Sequence, residues 1–148
     1  MRFASTAASR WLSWGARLRS TPADRPPAGV RGLQFRDEAA SVNALVPELR
    51  AKGVGRSIVV LIHEGGRSST PVGEPGCADF EGPIIGIVKR LDRAVDVVVS
   101  GHTHEAYVCE VDGRTVTSAA SYGRVVTTDR RDARSRNPAR RPLARPTM

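Results

Sequence analysis

Ser57-Ile58-Val59-Val60-Leu61-Ile62-His63 is the stretch that decides how this chain is read. Ile58 to Ile62 are five aliphatic residues without a break, four of them β-branched, and form a short apolar run. Such a run suits a strand covered on both faces. Its counterpart is Val95-Asp96-Val97-Val98-Val99-Ser100, followed by Gly101-His102-Thr103-His104. Between them Ile84, Ile87, Val88 and Leu91 stand at i, i+3, i+4 and i+7, which predicts a helix over about 83–92. Strand, helix, strand within this span predicts a right-handed parallel crossover.

Outward from this unit, Val42, Leu45, Val46 and Leu49 make a second apolar stripe and predict a helix over 37–52. Asp37 is its expected N-cap and Gly53 its stop, with a kink or restart expected at Pro47. Residues 64–82, rich in Gly and polar side chains, read as a long loop, and long loops in compact domains are usually functional. Tyr107–Val111 and Arg114–Ala119 flank Asp112-Gly113, a strong hairpin signal. A turn at Ser121-Tyr122-Gly123 and a last strand over Arg124–Thr128 follow. The fold class is α/β, a β–α–β unit plus a β-hairpin.

The 148 residues suffice for one domain, and a mean hydropathy of −0.29 suits a globular core. No apolar run approaches the roughly 20 residues that a membrane-spanning helix needs. The net charge is +8, but residues 1–31 contribute +5, residues 130–148 contribute +6, and residues 32–129 carry −3. The positive excess therefore lies in the two ends, so a basic folded face for nucleic acid is not expected. Three parts follow: 1–28 as a disordered Arg/Pro-rich segment, 29–129 as the folded part, and 130–148 as a disordered Arg-rich tail. The first segment lacks the apolar core of a secretory signal, although its composition also suits an organelle transit peptide.

The three histidines, His63, His102 and His104, follow two strands. If those strands are parallel, all three emerge at one carboxyl edge, where open α/β sheets place their ligands. Neutral imidazole is a common metal ligand, so all three are candidate metal ligands. Gly101 is expected where the backbone turns tightly at this crest.

Leu61-Ile62-His63-Glu64-Gly65-Gly66, then Asp96-Val97-Val98-Val99-Ser100-Gly101-His102-Thr103-His104, then Ser121-Tyr122-Gly123, resemble the second half of a calcineurin-like metallophosphoesterase domain. The branch they resemble is that of 5′-nucleotidases and 2′,3′-cyclic-nucleotide phosphodiesterases, over about residues 29–129. The resemblance implies a partial metallophosphoesterase α/β sandwich and a hydrolase of phosphate esters, nucleotides among them, acting in nucleotide catabolism. It implies a centre of two divalent ions, zinc, manganese or iron, with His63 and His102 on one ion and His104 on the other. It also implies a periplasmic or exported setting, in which Cys77 and Cys109 could be bridged rather than free.

The amino-terminal motifs of that family, Asp-x-His, a bridging Asp and Gly-Asn-His, do not occur in residues 1–62. No catalytic residue or substrate-binding residue is assigned, and Glu64 and Glu105 do not occupy ligand positions of the family. The expectation is a truncated phosphoesterase, inactive alone, with frameshifts bounding the recognisable segment. Two other readings are a non-catalytic metal- or partner-binding module and a nucleic-acid binder acting through the Arg-rich ends.

Overall fold

The computed structural model describes residues 3–6, 9–16, 19–52, 57–71, 74, 77–128 and 145–147. Its strands are β1 (Phe3–Thr6), β2 (Ser9–Ala16), β3 (Ser57–Ile62), β4 (Val95–Val99), β5 (Ala106–Val111), β6 (Arg114–Ala119), β7 (Val126–Thr128) and β8 (Arg145–Thr147). Two helices, α1 (Glu38–Ala51) and α2 (Pro83–Arg90), complete the architecture with two short 3-10 turns at Thr21–Asp24 and Pro27–Val30. The main sheet has six strands in the order β1-β2-β3-β4-β6-β5, and β7 with β8 forms a separate ribbon. The strands β2, β3, β4 and β6 are parallel to their neighbours, while β1 and β5 close the two ends antiparallel.

The expected crossover is present. β3 pairs parallel with β4 through Val60↔Val98 and Leu61↔Val99, and α2 connects them. A second parallel pairing, Ala16↔Ile62 at its end, makes β2–α1–β3 another crossover. Two right-handed crossovers stepping the same way along a sheet put both helices on one face, and α1 and α2 indeed pack together. Under them lies the core: Val42, Val46 and Leu49 from α1, Ile84 and Val88 from α2, and Ile58, Val60, Val98 and Val116 from the sheet. The opposite face carries Val59, Leu61 and Val99, which stay partly exposed, Leu61 at 41%.

Local chemistry explains the element ends. The Asp37 carboxylate accepts a hydrogen bond from the Ala40 amide at 2.9 Å, the expected N-cap. Pro47 lies within α1 without a restart, because it sits on the exposed side, where water can serve the carbonyl it leaves unpaired. Asp112 and Gly113 both have positive φ, 50° and 73°, as a two-residue hairpin turn requires. Arg114, only 3% exposed, donates to the Leu91 carbonyl at 2.8 Å, to the Val95 carbonyl and to the Asp112 carboxylate at 2.6 Å. It thereby ties the hairpin to the corner between α2 and β4. The same hydrogen bond holds the Asp112 carboxyl below its ordinary range.

The ends differ from the sequence expectation. Residues 1–28 were expected to be disordered, yet β1, β2 and both 3-10 turns begin there; likewise β8 lies within 130–148. Composition measures what side chains can bury, whereas an edge offers an open row of backbone N–H and C=O groups that a strand of almost any sequence can satisfy, as β2 does on β3, β1 on β2 and β8 on β7. Residues 129–144 of the tail lie outside the described residues.

Cys77 and Cys109 form a disulfide with a Cα–Cα distance of 5.4 Å, pinning the long loop to β5. It closes a loop of sequence separation 32, which in the chain-entropy treatment corresponds to about 3–4 kcal/mol of stability. Cys77→Ser/Cys109→Ser is therefore expected to lower the unfolding free energy by about that amount in urea titration. An unchanged midpoint would show that the bridge does not restrict the unfolded chain as that treatment requires.

Candidate metal site at the sheet edge

Because β2, β3 and β4 run parallel, their carboxyl ends share one edge, and the chain leaves β3 and β4 there through two short loops. The first loop is His63-Glu64-Gly65-Gly66 and the second is Ser100-Gly101-His102-Thr103-His104. The His63 amide still donates to the Ala16 carbonyl at 3.1 Å, so this histidine is held by the β2–β3 ladder itself.

The two loops are clamped together. The Gly101 amide donates to the Glu64 carbonyl at 3.1 Å, and the Thr103 hydroxyl donates to the Gly66 carbonyl at 2.8 Å. The Gly66 amide donates to the Tyr107 hydroxyl at 3.1 Å, and Tyr107 lies 2.6 Å from the Ser100 hydroxyl. Ser100 uses its own proton on the Thr117 carbonyl at 2.9 Å. The tight point of the clamp is Gly65. A Cβ there would collide with the Gly101 carbonyl and stand 2.7 Å from the Thr103 hydroxyl. Gly101, by contrast, has room, since a Cβ would meet only His63 Nδ1 at 3.8 Å. The expectation that Gly101 relieves the crest is corrected: the backbone that must pass closely is that of Gly65.

The clamp brings two of the three histidines together. The His63 and His102 rings meet edge to face with centroids 5.2 Å apart, and both residues are exposed. His104 points elsewhere and meets the Tyr122 ring at 5.9 Å, with the Arg124 guanidinium 5.8 Å from the same ring. His102 and His104 both have left-handed φ, 69° and 59°, a conformation that costs of order 1 kcal/mol each and is held by the surrounding bonds. Among the described residues no three His, Cys, Asp or Glu side chains come together as a metal cluster. As a donor set, the His63–His102 pair suits a borderline divalent ion, but further ligands would be needed to fill a coordination sphere.

Glu64 does not turn to the histidines; its Oε1 accepts from the Gly65 amide at 2.9 Å. It also lines an open cavity of about 620 Å³ with Arg19, Asp37, Glu38 and Arg90, which none of the three histidines lines. In the long loop, the Ser69 and Ser68 hydroxyls and the Ser69 amide bond the Asp79 carboxylate and hold its pKa at about 2. Burial pushes the Tyr107 phenol above its ordinary value, so it remains a protonated hydroxyl. Sequence reasoning missed Tyr107 and Ser100, because a tyrosine in a strand and a serine after one are ordinary; only the fold shows that their hydroxyls meet.

No family model matches the chain. It is 30% identical over 100 residues to Endonuclease YhcR of Bacillus subtilis (strain 168), covering 68% of this chain and 8% of that protein. Three solved structures share its fold. A putative 5′-nucleotidase from Staphylococcus aureus has a TM-score of 0.65 at 17% identity, over 85% of this chain and 24% of that one. The sulfate thiohydrolase SoxB of Thermus thermophilus has a TM-score of 0.65 at 18% identity, over 85% and 20%. The calcineurin-like phosphoesterase YfkN of Bacillus subtilis has a TM-score of 0.64 at 16% identity, over 94% and 44%. This chain thus spans less than half the length of each. The resemblance to the calcineurin-like phosphoesterases is borne out, as a part of that fold.

Two outcomes test this geometry. Gly65→Ala should separate the two loops and lower stability by about 1–3 kcal/mol, the usual cost of overpacking; chemical denaturation measures it. The Asp79 pKa lies below its ordinary value of 3.8, so its hold on the loop is complete above that pH and is lost as pH falls toward about 2. Carbon NMR should place the Asp79 midpoint near 2, and Asp79→Asn should abolish the matching shift of the Ser69 amide. A midpoint at the ordinary value would remove the serines from that role.

Proposed function

We propose that this chain, folded as part of a calcineurin-like phosphoesterase, carries the carboxyl-terminal half of a metal-dependent phosphoesterase centre. His63 and His102 hold one divalent ion, and His104 contributes to a second. The observation that carries the reading is the His63–His102 pair, 5.2 Å between ring centroids, on two loops bolted together at one sheet edge. Bound divalent ions in such a centre polarise a phosphate ester and lower the pKa of an attacking water.

This chain's own contribution is positioning. The β2–β3 ladder fixes His63, the clamp through Thr103 and Gly101 fixes His102 beside it, and both imidazoles stay open to solvent. Neutral imidazoles bring no negative charge, so they balance the charge of a dication poorly without carboxylates. None of the described acidic side chains joins the histidines. The isolated chain therefore binds metal weakly and does not turn over.

The substrate class is a phosphate ester. The solved 5′-nucleotidase favours a nucleotide. A second reading, a nucleic-acid phosphodiester, is favoured by the relative named an endonuclease. The comparisons do not support excluding nucleic acid as a partner, although the charge distribution gives the folded part no basic face. The Arg-rich ends would then supply phosphate contacts, and binding would fall steeply with salt.

Calorimetric titration with zinc should show weak binding, abolished by His102→Ala. With zinc or manganese added, neither AMP, bis-p-nitrophenyl phosphate nor single-stranded DNA should be hydrolysed above background. Turnover that His63→Ala abolishes would overturn the half-site reading and show that other residues complete the centre. Tight zinc binding indifferent to His102→Ala would place the metal elsewhere.

A further inference from the structure

The geometry points to Tyr107 as a positioning residue: its buried hydroxyl sets the separation of His63 and His102. The inference deepens the metal-site reading and rests on it for the expected effect on affinity.

The hydroxyl protons fix the direction of the bonds around Tyr107. Ser100 has one hydroxyl proton, and the Thr117 carbonyl takes it at 2.9 Å. The Ser100 oxygen is then free to accept, and Tyr107, 2.6 Å away, must donate. The Tyr107 oxygen in turn accepts the Gly66 amide at 3.1 Å. One directed chain results: Gly66 N–H to Tyr107, Tyr107 to Ser100, Ser100 to the Thr117 carbonyl. Each link polarises the next in the same sense.

Two of its members, Gly66 and Ser100, are the ones that matter. Gly66 is three residues after His63, and Ser100 is two residues before His102. One hydroxyl therefore joins the two segments that carry the paired histidines. It approaches from β5, a strand that pairs with β6 rather than with β3 or β4. Tyr107 is 5% exposed, and its ring packs on Phe80 with centroids 4.8 Å apart. Phe80 also fills the space that a side chain at residue 66 would need. The hydroxyl is thus fixed by its ring from below and by two partners at its tip. The other ties between the loops, Gly101 to Glu64 and Thr103 to Gly66, do not involve β5. Tyr107 thus ties both segments by a side-chain hydrogen bond to the far strand of the sheet. Groups that orient metal ligands from outside commonly govern affinity by about 10–100-fold.

The experiment uses the full chain and the substitutions Tyr107→Phe, Ser100→Ala and, as a control in the core beneath α2, Val88→Ala. Zinc affinity is measured by calorimetry. In the metal-free chain, NMR follows the His63–His102 ring-to-ring contact and the exchange protection of the Gly66 amide. Tyr107→Phe keeps the ring and removes only the hydroxyl. It should weaken zinc binding about tenfold or more, expose the Gly66 amide to exchange and weaken the ring contact. Ser100→Ala should act in the same direction, and it carries the test if Tyr107→Phe does not fold. Val88→Ala should lower the melting temperature while leaving the ring contact and Gly66 protection as in the parent chain. If the parent chain binds no zinc, the metal-site reading fails, and the metal-free measurements alone decide the positioning role. An unchanged ring contact and unchanged Gly66 protection in Tyr107→Phe, or equal changes in Val88→Ala, would overturn the assignment.

Discussion

The backbone of Gly65 passes so near the Gly101 carbonyl that no side chain fits between them. That close approach lets the Gly101 amide reach the Glu64 carbonyl and the Thr103 hydroxyl reach the Gly66 carbonyl. Everything proposed for the sheet edge depends on it. Were the loops a side chain's width apart, those hydrogen bonds would open and the two rings would separate. The contact is possible because β3 and β4 are adjacent and parallel, so both loops leave the sheet at the same height.

The sheet is in turn held by burial on one side. α1 and α2 cover Ile58, Val60 and Val98, and the two crossovers fix both helices to the same face. The hairpin adds a lateral tie. Arg114 is buried, but its charge is offset by Asp112 and its N–H groups are used on the Leu91 and Val95 carbonyls, the condition under which a buried cation is tolerated. The disulfide from Cys77 to Cys109 fastens the long loop to the same hairpin. The loop, the hairpin and the strand ends are therefore tied to one another.

The site has an asymmetry that follows from the chain's own geometry. His63 and His102 belong to the clamped pair, while His104 has turned past the clamp toward Tyr122. His-x-His spacing with left-handed φ at both histidines sends alternate side chains in different directions. The proposed reading assigns the pair to one ion and the single histidine to another. The charge such ions would need is not supplied by the described acidic groups, and Glu64 is occupied with the Gly65 amide.

The sequence by itself determined the local elements. The 3.6-residue stripes of α1 and α2, the apolar runs of β3 and β4, the Asp37 cap and the Asp112-Gly113 turn each depend on neighbours a few residues away, so periodicity exposes them. It also placed three histidines after two strands, because position along a chain is all that statement requires. Only the tertiary structure decided what depends on distant partners. Strand β2 exists because β3 offers it backbone hydrogen bonds, and β1 because β2 does the same, which composition does not register. Gly65 rather than Gly101 is the tight glycine because the neighbour that crowds it lies 36 positions away in sequence. Tyr107, Ser100 and Arg114 look ordinary in the sequence and acquire their roles only where chain packing removes water from their polar atoms and sets protein partners from distant parts of the chain in its place.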